Sequence, residues 1–84
     1  MSRKNRISTG DITRGRIRDF VIWYIGEHGY SPSVREIGEG VELKSTSSVN
    51  NHLKKMLDTG MLETDADLRT PRAIRVPGYH FIKN

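Results

Sequence analysis

Residues 31–60 read SPSVREIGEGVELKSTSSVNNHLKKMLDTG, two short helix-period patterns divided by a brief run of small and charged residues. Tyr30-Ser31-Pro32 ahead of the first is expected to be extended, because the residue before proline is pushed out of the helical region. Ser33 with Glu36 three positions on forms a capping box. Val34, Ile37 and Val41 follow at spacings that put them on one helix face. Gly38 and Gly40 weaken this helix intrinsically and leave room for another helix to come close. Leu43 is expected to pack inward, Ser45 to cap the second helix, and Gly60 to stop it after Thr59. Val49, Leu53, Met56 and Leu57 make that helix's apolar stripe. At 100° per residue, Ser47, Asn51, Lys54 and Lys55 point broadly the other way, with Ser48 and Asn50 on the two flanks.

Upstream, Ile17, Phe20, Val21, Tyr24 and Ile25 recur at spacings of three and four, predicting a first helix from about Ile12 to Glu27. Asp11 is its expected N-cap, Gly29 its left-handed stop, and Trp23 lies to one side of its stripe. Residues 1–10 are basic and aperiodic, the pattern of a flexible arm. Beyond Gly60 the period changes. Met61-Leu62 into Glu63-Thr64 reads as a short strand, DADLRTP (65–71) as a turn, and Arg72-Ala73-Ile74-Arg75-Val76 as a returning strand. Pro77-Gly78 closes the domain, leaving 77–84 as a tail. Three helices followed by a hairpin define a mainly α fold with a small β-hairpin, the winged helix-turn-helix, over residues 11–76.

An 84-residue chain supports one domain with a small core. It has no cysteine, so disulfides and thiolate metal sites are excluded, and its three histidines show no ligand spacing. No apolar run approaches the roughly 18 residues a membrane span needs. The expected setting is soluble and cytoplasmic, in a bacterium or at the nucleoid of a phage-infected host. The net charge of +4 is unevenly spread. Arg3, Lys4, Arg6, Arg14, Arg16 and Arg18 face Asp11 alone, whereas Asp19, Glu27, Glu36, Glu39 and Glu42 face Arg35 alone. A basic face set against an acidic one fits nucleic acid on one side.

The second helix of a helix-turn-helix enters the major groove and reads base edges with its N-terminal residues. The expected base-reading set is Ser45, Thr46, Ser47, Ser48, Asn50 and Asn51, since asparagine pairs bidentately with adenine and hydroxyls donate or accept. The expected phosphate set is Lys44, Lys54, Lys55, Arg35, Arg72 and Arg75. The plainer readings are that the serines only cap the helix and that the asparagines only face solvent. His52, at the stripe's edge, reads as a packed, hydrogen-bonded histidine rather than a ligand. The wing carries Arg69, Arg72 and Arg75 but also Asp65 and Asp67, which DNA would repel. No carboxylate pair, glycine-rich phosphate loop or activated nucleophile is present, so no enzyme, cofactor or metal site is expected.

GYSPSVREIGEGVELKSTSSVNNHLKKMLDTGML (29–62) together with PRAIRV (71–76) closely resembles the N-terminal DNA-binding domain of the LexA family, repressors of the bacterial SOS response. The resemblance covers about Asp11 to Val76. It implies a winged helix-turn-helix that binds palindromic operators as a dimer. By position it gives base reading to Ser45, Ser47, Ser48, Asn50 and Asn51. It also aligns His52-Leu53 with the family's "HL" pair, and Arg72 with the arginine opening the second wing strand. The family's self-cleaving Ser–Lys peptidase domain has no counterpart after Val76, so either an excised domain or a stand-alone phage or mobile-element regulator fits. Glu63 and Thr64 stand where the family carries arginines, and Gly15 and Arg16 replace more helix-favouring residues. The leading expectation is a sequence-specific transcriptional regulator, most simply a repressor on double-stranded DNA. Two alternatives stay open. One is a protein-interaction winged helix using the acidic face or the wing, and the other is a non-specific architectural DNA binder.

Overall fold

The computed structural model describes residues 9–64 and 73–78. Helix α1 spans Thr9–His28, α2 Val34–Gly40 and α3 Thr46–Thr59; strand β1, Glu63–Thr64, pairs antiparallel with β2, Ile74–Arg75. The register sets Glu63 opposite Arg75 and Thr64 opposite Ile74. Helix α1 begins earlier than expected, so Thr9 and Gly10 are helical and Asp11 lies within the first turn rather than at the cap. Among the described residues the wing pairs over Glu63–Thr64 and Ile74–Arg75, within the expected strands, while Arg72 lies outside them. The N-terminal arm through Ser8, the wing turn with Asp65, Asp67, Arg69 and Arg72, and the tail from Tyr79 lie outside the described residues.

The expected stripes meet in one core. Ile17, Val21 and Ile25 of α1, Ile37 of α2, Val49, Leu53 and Met56 of α3, and Val41, Leu62, Ile74 and Val76 are buried together. Phe20, Val34, Leu43 and Leu57 pack against its edge. Burying one such aliphatic side chain fully stabilises by about 1.5–3 kcal/mol, and Ile17, Ile37, Leu53 and Met56 are all at 0% exposure. The core therefore fixes how α3 sits on α1 and α2.

Local chemistry sets the helix ends. Ser33 Oγ accepts from the Glu36 amide at 3.1 Å while Glu36 Oε1 accepts from the Ser33 amide at 2.9 Å, the expected reciprocal box. Gly29, at φ 83°, follows α1 as expected. Helices α2 and α3 end in the same doubled bonding. After α2, Leu43 N–H donates to Gly38 O at 2.8 Å and Glu42 N–H to Glu39 O at 3.4 Å. After α3, Met61 N–H donates to Met56 O at 2.8 Å and Gly60 N–H to Leu57 O at 3.3 Å. The motif needs a left-handed residue after the helix; glycine supplies it at Gly60 (φ 84°), but Glu42 (φ 62°) does so after α2.

The glycines of α2 permit close approach, as the sequence suggested. A Cβ at residue 40 would lie 2.7 Å from Phe20 Cδ1 and closer still to the ring edge, so the α1 ring rests on α2 backbone. A Cβ at residue 38 would lie 3.2 Å from both Leu43 O and Val49 Cγ2, where the turn folds back under α3.

Candidate nucleic-acid interface

Helix α3 starts at Ser45, whose extended backbone and Oγ cap it by accepting from the Ser48 amide at a long 3.4 Å. Its first intrahelical bond is Val49 N–H to Ser45 O at 3.2 Å, so the Thr46 and Ser47 amides have no acceptor within the helix. Those amides and the positive end of the helix dipole suit an anion. Ser45, Thr46, Ser47, Asn51, Lys54 and Lys55 are exposed, while Ser48 and Asn50 are half-buried on the flanks. The expected face is therefore assembled on one continuous surface, and Val49, Leu53 and Met56 pin its opposite side to the core.

The phosphate candidates divide. Exposed Lys44 lies in the turn leading to Ser45. Arg35, Lys44 and Thr46 line a common groove of ≈ 270 Å³ between α2 and α3, floored by Val34, Leu43 and Val49. Arg35 Nε is 3.5 Å from Glu39 Oε2, with both side chains largely exposed, a geometry worth little and easily exchanged for another anion. Arg75 Nη2 lies 3.8 Å from Glu63 Oε1, the residue opposite it in the ladder. Arg72 is outside the described residues.

His52 is packed and hydrogen-bonded, as its place at the stripe's edge implied. Arg14 Nη1 donates to His52 Nδ1 at 3.2 Å, and Arg14 Nη2 donates to Asp11 Oδ1 at 2.8 Å. Burial, and secondarily the Arg14 charge, hold the imidazole below its ordinary pKa of 6.5. The neutral ring with Nδ1 unprotonated is the form that accepts from arginine. This bridge ties the middle of α3 to the first turns of α1, and the sequence did not reveal it.

A second feature was only partly visible. The rings of Phe20, Trp23, Tyr24, His28 and Tyr30 form a continuous cluster at the C-terminal end of α1. Among the described residues, no group of three histidine or carboxylate side chains is placed to hold a metal ion, and no helix is long and apolar enough to cross a membrane.

Three helices on one core, the third with a polar and basic outer face, followed by a two-stranded wing, define a winged helix-turn-helix. Sequence comparison narrows the class: residues 14–73 match the LexA DNA binding domain, and the chain belongs to that family. It is 47% identical over 60 residues to the LexA repressor of Ruminiclostridium cellulolyticum, covering 71% of this chain and 27% of that protein. The LexA repressor of Clostridium tetani is 43% identical over 67 residues, covering 80% and 32% respectively. That of Bacillus mycoides is 44% identical over 62 residues, covering 74% and 29%. The chain thus spans less than a third of the length of these relatives. The domain it shares with them is a DNA-binding one.

Proposed function

We propose that the chain is a sequence-specific transcriptional regulator, most simply a repressor, that lays the outer face of α3 in the major groove of double-stranded DNA. The observation that carries this reading is the exposed Ser47, Asn51, Lys54 and Lys55 on a helix whose other side is locked into the core. Asn51 supplies both a donor and an acceptor and is suited to the N6/N7 edge of adenine. Ser45, Thr46, Ser47, Ser48 and Asn50 surround it as further base readers. Lys44, Lys54, Lys55 and Arg35 meet phosphate and set the register, with Arg72 and Arg75 contributing from the wing. Two copies on a palindrome add their binding energies, since one domain of this size buries modest area. The names of the matched relatives support the repressor role.

Selection from a randomised duplex pool at physiological salt, followed by sequencing, tests the reading. The expected result is a palindromic motif bound at least ~10³-fold more tightly than bulk DNA. Asn51→Ala should then relax one position of each half-site by about 1–3 kcal/mol. Lys54→Ala should weaken all sequences alike and lower the salt slope by about 0.9. Uniform weak binding, with Asn51→Ala silent, would point to architectural binding and sink the sequence-specific reading.

A further inference from the structure

The outer side of α1 is built unlike a solvated helix face. Opposite the stripe of Ile17, Val21 and Ile25, the residues at successive turns are Asp19, Trp23 and Glu27, all exposed. Trp23 is 55% exposed, in a position where a charged residue would cost nothing. It is not loosely hung. Phe20 (centroid distance 5.7 Å), buried Tyr24 (6.3 Å) and His28 (6.3 Å) contact its ring, the last two edge-on. A rigid indole with part of its surface open loses little side-chain freedom on binding, which is what makes tryptophan an effective anchor.

The charge beside it defines the occupant. Asp19 and Glu27 flank Trp23 one turn to either side, about 12 Å apart along the axis at 1.5 Å per residue. An indole face between two carboxylates suits a guanidinium stacked on the ring, with further cationic groups on the carboxylates. Arg16 marks the N-terminal limit of the acidic stretch. We propose that the Asp19–Trp23–Glu27 face is a docking surface for an arginine-bearing segment of a partner protein. The face lies across the core from the outer side of α3, so such a partner and DNA bind together rather than compete. The inference does not depend on the DNA reading.

Trp23 is the only tryptophan in the chain, so its emission reports occupancy directly. The test titrates the protein with hexa-arginine at physiological salt. Saturable quenching is expected, with hexa-lysine binding more weakly because ammonium stacks less well than guanidinium. Asp19→Asn and Glu27→Gln, made singly, should each weaken hexa-arginine binding at least about threefold, whereas Asp58→Asn, an equal loss of acidity on exposed α3, should change it less than about 1.5-fold. No saturable change would overturn the proposal. So would an equal loss in Asp58→Asn, which would mean bulk charge attraction. Emission that varies with protein concentration in the absence of peptide would also overturn it, since the face would then take a second copy.

Discussion

Helices α1 and α3 share a core but turn different faces to solvent. The outer face of α3 is serine, asparagine and lysine, with Asp58 in its last turn; that of α1 is Ile12, Arg16, Asp19, Trp23 and Glu27, with Ile12 54% and Trp23 55% exposed. Apolar residues on both sides leave α1 with almost no net amphipathic direction, whereas α3 has a strong one. A helix with one apolar stripe announces only where the core is. A helix with two announces a core and a second surface that something else must explain. The proposed DNA contact accounts for the α3 face, and it leaves the α1 face to be explained separately.

The largest effect that sharpens this contrast is a paired truncation. Leu53→Ala, at 0% exposure on α3, should cost about 3 kcal/mol. Trp23→Ser on α1 should cost far less, because it removes ring contacts without opening the core. Urea denaturation measures both, and equal losses would mean that Trp23 is simply core. Smaller effects are expected at the two helix stops. Glu42→Gly should stabilise by about 1 kcal/mol by relieving a left-handed residue that bears a Cβ. Gly60→Ala, where a Cβ would meet no atom within 4 Å, should destabilise by about 1 kcal/mol through backbone strain alone. Thermal midpoints of the two variants moving in the same direction would refute the shared motif.

The smallest effect is a pH dependence of the link between the two helices. His52 is held below 6.5, so the unfolded chain takes up the proton first as pH falls. Its stabilising contribution is full above pH 6.5 and is lost as pH drops from there through the lower folded value. In an NMR titration, Arg14→Gln should move the His52 midpoint upward. An unchanged midpoint would remove Arg14 as a contributor.

The helix pair was legible because its signals are local: Ser33 with Glu36, Ser45, Gly60 and two short stripes each act within one or two turns. The start of α1 was misplaced because Asp11 looks like a cap, yet its carboxylate is engaged with Arg14 inside the helix. The polar face of α3 could be assembled from periodicity alone. The Arg14–His52 bridge joins residues 38 positions apart, and Tyr30 reaches the aromatic cluster only after the chain turns at Gly29. Neither arrangement leaves a mark in local spacing.

The seat of Phe20 on Gly40 bears on how this domain can be recombined with others. A chimera that carries only α2, the turn and α3 onto a foreign first helix keeps the notch but loses the ring that fills it. It exchanges a fitted contact for a void or a clash, depending on what the host supplies at that height. The smallest transplantable unit therefore begins upstream of Arg14 rather than at Ser33, since Ile17 and the Arg14–His52 bridge also hold α3 against α1.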